Sequence, residues 1–241
     1  MQWQTQADLL DFSMFQEQLN EVLIKYPYLN EGVINGVVIL TGAIDIIDNN
    51  GKIWDTYQIE IHPVDEFPYC FPKLFEVGGR IPKNVDWHIY TADESCCLTV
   101  IQKEIYACVN GITILVFIEN WVIPYLANQT YRFKTGNYAN GEYAHNGLLA
   151  TIEFYEELFK TSNIDLIINY IFRILSISRP NRTELCFCGS KQKFRNCHKS
   201  AFDVCSLLKD KTLFFDLNIL KAQSKLYQNM NLDMIQKLTI R

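Results

Sequence analysis

The sequence predicts an α+β protein with a helical C-terminal region, on three observations. Apolar residues first recur at helical spacing, β-branched runs separated by turn signals follow, and two helix patterns then precede a cysteine-dense stretch. In order, these give an N-terminal helix, an antiparallel meander, further helices and a small cysteine-rich module with a helical tail.

From Ala7 to about Lys25, Leu9, Leu10, Phe12, Phe15, Leu19, Val22 and Leu23 form the apolar stripe of a first helix. "GVVILTGAIDI" (36–46) is a β-branched run that ends at the turn signal "DNNG" (48–51), and "KIWDTYQIEIHP" follows. In that second strand Tyr57, Ile59 and Ile61 alternate with Gln58, Glu60 and His62, so one face is wet and His62 is expected in solvent. Pro68 and Pro72 in "FPYCFPKLF" suit a turn into a third, edge-like strand, and "EVGGRIPKN" (76–84) is loop by composition. A helical run is expected from about Gly111 to Ala127, then a Gly/Asn/Tyr-rich loop to 147, then helices in "LLATIEFYEELFK" and "IDLIINYIFRIL". "ISRPNRTE" (177–184) reads as a linker, and the tail from Ser200 as mostly helical.

With 241 residues and 49% hydrophobic composition, the chain can bury one good core with something smaller attached. A formal net charge of -5 argues against a surface that coats nucleic acid or an anionic membrane. The most apolar run, "GITILVFIENWVIPYL", is interrupted by Glu119 and Asn120 and is too short to span a bilayer. "MQWQTQADLLDFSMF" lacks the regions of a signal peptide, so a cytoplasmic location is expected. The eight cysteines are then ligands, nucleophiles or core residues and not disulfides.

"CFCGSKQKFRNCH" places Cys186 and Cys188 one residue apart, then Cys197 and His198 side by side. This Cys₃His set suits tetrahedral zinc in a structural role. With few apolar residues of its own (Leu185, Phe187, Phe194), the segment is expected to fold through metal binding. Gly189 relieves the backbone where the chain turns. The spacing, the Gly-Ser and the basic-aromatic filling resemble the SEC-C motif, the zinc-binding tail of the SecA translocation ATPase. In that family the motif commonly serves protein–protein contact. Arg182, Lys191, Lys193, Arg195 and Lys199 make this the most basic part of an acidic chain, a patch suited to an acidic protein surface or a phosphate backbone.

"SCCLTV" (95–100) sets two cysteines side by side. If Cys96 to Ile101 is extended, Cys96, Leu98 and Val100 share an apolar face, and Cys97, Thr99 and Ile101 lie opposite. Cys97 is then the better candidate for an exposed thiol. Cys70, Cys108 and Cys205 read as packing residues. The surrounding stretch resembles the ubiquitin-conjugating (UBC) enzyme core over about residues 7–147. Phe67, Pro68, Tyr69, Phe71 and Pro72 stand in register with that family's Tyr-Pro-Phe-x-Pro-Pro segment. His88 precedes Cys97 by nine residues, close to the family's spacing from its His-Pro-Asn motif to its catalytic cysteine, and Leu98 follows.

The resemblance implies transthiolation: a Cys97 thiolate attacks an activated carbonyl, holds the acyl group and yields it to an amine. Asp93 and Glu94 are expected to lower the thiolate fraction. His88 stands as a catalytic-site residue that either folds the loop or moves a proton. His88-Ile89-Tyr90 replaces His-Pro-Asn, so the family's asparagine is missing, and the tryptophan expected soon after the cysteine is absent, although Trp121 occurs further on. These departures resemble the prokaryotic UBC-like proteins of type II CBASS antiphage operons. "GEYAHNG" (141–147) resembles their Gly-Glu-x-x-His loop, which would make His145 or Asn146 the polar group that Tyr90 does not supply. The implied partner is a cGAS/DncV-like nucleotidyltransferase whose C-terminus is loaded onto Cys97. The implied organisation is a UBC-like domain (1–147), a helical connector (148–180), a SEC-C zinc module (181–200) and a helical tail (201–241). The rival readings are an inactive UBC-like scaffold that grips the partner without chemistry, and a zinc-module adaptor for the ribosome or translocation machinery.

Overall fold

The computed structural model describes residues 12–48, 50–139 and 147–224. Two compact units divide them. One takes the described residues up to Thr99 and from Ala107 to 139; the other takes Val100–Tyr106 and the described residues from 147 onward.

In the first unit, short helices α1 (Ser13–Gln16) and α2 (Leu19–Lys25) precede a four-stranded antiparallel sheet in the order β1-β2-β3-β4. The strands are β1 (Leu29–Ile34), β2 (Val37–Ile47), β3 (Ile53–His62) and β4 (Lys73–Glu76). Asn35 and Gly36, both with positive φ (52° and 81°), close the β1–β2 hairpin, the conformation a two-residue turn of this type requires. At Gly42 (φ 139°) β2 passes so close to β1 that an added Cβ would lie 2.2 Å from the Tyr28 carbonyl oxygen. The expected alternation holds in β3: Tyr57, Ile59 and Ile61 are fully buried, with Phe15, Leu19, Val22, Leu40 and Leu74 in the same core. His62 departs from its expected solvent position. It is half-buried, 2.8 Å from Glu60 Oε2 through Nε2, with its ring 4.6 Å from that of Phe75.

A 3₁₀ turn (Val85–Trp87) and helix α3 (Ile101–Cys108) follow β4. The expected extended run from Cys96 to Ile101 is realised only as an Ile89–Cys96 bridge, because the chain enters α3 at Ile101. The next helical run is α4 (Ile114–Phe117), a π turn (Ile118–Val122) and α5 (Ile123–Thr135). Pro124, at the start of α5, has no N–H for the preceding turn, and widening to a π turn accommodates it. This run carries Phe117 and Trp121 against Phe71, at ring distances of 5.2 and 4.8 Å. Phe67 packs on Phe15 at 5.6 Å, so the aromatic-proline segment is fastened from two sides.

The second unit contains α6 (Gly147–Phe159), α7 (Ile164–Ser176), a 3₁₀ turn (Phe194–Asn196), α8 (Lys199–Leu208) and α9 (Leu213–Gln223). Asn163 caps α7 by accepting the Leu166 N–H at 3.0 Å. Tyr155, Ile167, Ile168, Ile171, Phe194, Cys205, Leu208 and Leu220 form one core, so the helices on either side of the cysteine-rich stretch pack with it. Asp216, buried among them, accepts the Tyr155 hydroxyl at 2.7 Å and the Thr212 hydroxyl at 2.9 Å, and burial raises its carboxyl above the usual range. No described helix is long and apolar enough to cross a membrane.

Candidate metal centre and thiol loop

Residues 184–198 fold into a knuckle. The Cys186 N–H donates to the Gln192 carbonyl and the Phe194 N–H to the Glu184 carbonyl, both at 2.8 Å, and Gly189 (φ 80°) makes the reversal between them. The 3₁₀ turn then delivers Cys197, and His198 precedes the first turn of α8. The ligand atoms of Cys186, Cys188, Cys197 and His198 all lie within 4.8 Å of one another. Cys188 Sγ is 3.6 Å from Cys197 Sγ, and His198 Nδ1 is 3.4 Å from Cys186 Sγ and 3.2 Å from Cys197 Sγ. A tetrahedral zinc ion with Zn–S ~2.3 Å and Zn–N ~2.0 Å separates its ligand atoms by roughly 3.5–3.8 Å. The donor set therefore fits such an ion in chemistry and in size.

The surroundings prepare the ligands. The His198 ring lies 4.8 Å from that of Tyr170 and 5.5 Å from that of Phe187, and burial lowers its pKa, which favours the neutral imidazole a metal needs. Arg173 Nη1 donates to the Phe187 carbonyl at 2.5 Å, and Phe194 is fully buried, so the knuckle is built into the core of α6–α9. Of the basic residues, Arg182, Lys191, Lys193 and Arg195 are exposed, while Lys199 pairs with Asp203 at 2.6 Å.

The thiol loop lies in the first unit. The Cys96 N–H donates to the Leu74 carbonyl of β4 at 2.8 Å, and the Cys97 N–H donates to the His88 carbonyl at 2.7 Å. Cys96 is 7% exposed, and burial pushes its thiol up to about 12. Cys97 is half-buried, with Sγ 3.9 Å from the Thr99 carbonyl oxygen. His88 adopts a left-handed conformation (φ 53°) at the end of the 3₁₀ turn, and its ring packs at 5.4 Å on Tyr138. Tyr90 is half-exposed, and its N–H donates to the Ser95 carbonyl at 2.9 Å across the loop.

Each acid of this loop has a lysine. Asp93 pairs with Lys73 at 2.7 Å, and Glu94 pairs with Lys83. The Lys73 hydrogen bond, with those from Ser95, holds the Asp93 carboxyl down at about 2. Their negative charge near Cys97 is thus partly balanced, which the sequence alone does not disclose. Cys108 and Cys205 are buried as packing residues, while Cys70 is half-buried. His145 and Asn146 lie outside the described residues.

Residues 182–200 match the SEC-C motif. No curated protein and no solved structure matches the chain.

Proposed function

We propose that the first unit is a ubiquitin-conjugating-like acyl carrier with Cys97 as its nucleophile, acting in bacterial antiphage defence in the cytoplasm. Its proposed cargo is the C-terminus of a cGAS/DncV-like nucleotidyltransferase. The observation that supports this most is the contrast between neighbours: Cys96 is buried with its thiol at about 12, whereas Cys97 is the more accessible thiol, on a loop that leaves the edge strand β4. The order of helix, four-stranded meander, cysteine loop and later helices also suits the family that this stretch resembles.

In the proposed reaction the Cys97 thiolate attacks the carbonyl carbon of an activated C-terminal acyl group. A C–S bond forms, and the donor's thiolate or phosphate leaves with the bonding electron pair. An acceptor amine then attacks the thioester, a C–N bond forms, Cys97 departs as thiolate and the amine proton passes to solvent. His88 contributes through its carbonyl, which holds the Cys97 amide. In the second unit we propose zinc as the bound metal, in a structural role, because the protein itself fills four ligand positions and leaves none for substrate.

A catalytically inactive scaffold is the second reading, favoured by Tyr90 standing where the family has asparagine. Intact-protein mass spectrometry after co-expression with the neighbouring operon genes separates the two. The acyl-carrier reading expects a partner-sized mass increase that thiol reductant removes, lost with Cys97→Ala and kept with Cys96→Ala. A partner that co-purifies with no thiol-dependent adduct makes the protein a UBC-shaped binder.

A further inference from the structure

Three consecutive main-chain carbonyls, those of Asp86, Trp87 and His88, are met by one stripe of α5. Tyr125, Gln129 and Arg132 stand at i, i+4 and i+7, which places them on the same helix face. The Tyr125 hydroxyl lies 3.2 Å from the His88 carbonyl oxygen and 3.3 Å from that of Trp87. Gln129 Nε2 donates to the Trp87 carbonyl at 3.1 Å, and Arg132 donates to that of Asp86. The Arg132 guanidinium also lies 4.0 Å over the Trp87 ring and 4.7 Å over the Tyr138 ring, so the clamp is closed from its far end.

The His88 carbonyl is the junction of this arrangement. It has two lone pairs: the Tyr125 hydroxyl approaches it from α5, and the Cys97 N–H occupies it at 2.7 Å from the loop. With Tyr125 only 8% exposed and Gln129 fully buried, these polar groups have no water to fall back on, and losing a partner leaves a buried group unsatisfied.

We propose that Tyr125 is a positioning residue for Cys97: it fixes the His88 carbonyl that anchors the Cys97 amide, while Gln129 and Arg132 hold the two preceding carbonyls. The direction in which the thiol is presented is therefore set by α5, through the 86–88 turn. This rests on the reading of Cys97 as the nucleophile.

The test follows the Cys97 amide by hydrogen exchange in uniformly ¹⁵N-labelled full-length protein, and the Cys97 thiol by iodoacetamide alkylation across pH. Wild type is compared with Tyr125→Phe and Gln129→Leu. In Tyr125→Phe the Cys97 amide should exchange about fivefold faster, as expected for loss of one hydrogen bond, and the pH midpoint of Cys97 alkylation should move. Amides in the β3–β4 ladder should keep their rates, which a general loss of stability would not allow. A folded Tyr125→Phe protein with unchanged Cys97 exchange and an unchanged alkylation profile overturns the proposal. If that variant does not fold, Gln129→Leu decides, with about a twofold acceleration expected and no change overturning. Neither readout needs an acyl donor, so a wild-type Cys97 that never carries an adduct removes the acyl-carrier reading alone.

Discussion

The metal knuckle and the thiol loop both bring cysteine side chains to a defined geometry, by opposite routes. In the knuckle all four ligands fall within residues 186–198, and local main-chain bonds such as Cys186 N–H to Gln192 shape the turn. The Cys97 loop is assembled from distant segments: Leu74 of β4, the turn at 85–88 and the α5 face that begins at Tyr125. A site closed by local spacing keeps its identity wherever the chain carries it. A site closed by the fold exists only while the sheet and the helix hold their register.

Metal removal is the sharpest way to break the comparison, and its effect should be the largest. Purified protein should carry one equivalent of zinc, measured by elemental analysis. Cys197→Ser, or chelation, should abolish the cooperative unfolding of the second unit. Metal binding contributes ~10–16 kcal/mol apparent in isolated zinc-finger peptides. The loss here should therefore exceed the ~3–5 kcal/mol expected for truncating the buried aromatic in Phe194→Ala. Cys97→Ser, by contrast, should move the unfolding midpoint little, by an amount corresponding to about 0.5 kcal/mol or less. Metal-free protein with the same second-unit transition would remove the knuckle's structural role.

The next effect sharpens the contrast between the adjacent thiols. At pH 8, iodoacetamide followed by peptide mapping should label Cys97 well before Cys96. Burial raises the Cys96 thiol from 9.0 to about 12, so the folded state keeps its proton where the unfolded state has lost it. The contribution of this site to stability is therefore full below pH 9.0 and falls as pH rises toward 12. Equal labelling of both cysteines in folded protein would contradict the burial that separates them.

The same division governs what the sequence discloses. The Cys₃His set was legible because its spacing is its geometry, and β3 was legible because Tyr57, Ile59 and Ile61 alternate toward one core. Strand β1 was missed: "LNEGVI" is exposed at four of its six positions, Val33 and Ile34 among them, and has no buried apolar alternation, so its one signal is the Asn35-Gly36 turn that follows. Helix α3 was missed because "SCCLTV" runs into "IQKEIYAC" with an alternation that reads as extended until Ile101. Of the thiol loop, Cys97 and His88 could be named from their spacing. The lysine partners of Asp93 and Glu94, and Tyr125 with Gln129 and Arg132, could not, since each contact spans a sequence separation that only the folded chain closes.

The smallest expected effect concerns the fastening of the loop itself. Asp93 carries its carboxyl at about 2 against an ordinary 3.8, chiefly through the Lys73 hydrogen bond. A depressed carboxyl stabilises the fold above the higher of these values and loses that contribution as pH falls through the lower one. The side chains are 52% and 37% exposed, so solvent screening limits the pair to ~1 kcal/mol or less. Lys73→Ala should therefore leave the unfolding midpoint at pH 7 nearly unchanged. Its effect should appear in the loop, as faster exchange of the Ser95 amide, which donates to Asp93 Oδ1 at 3.1 Å. The difference between variant and wild type should shrink only as pH falls through about 2, where wild-type Asp93 is protonated as well. Equal Ser95 exchange in variant and wild type at pH 7 would mean that the loop is held by its other ties, the Leu74 carbonyl on Cys96 and the His88 carbonyl on Cys97, and that the ion pair only decorates it.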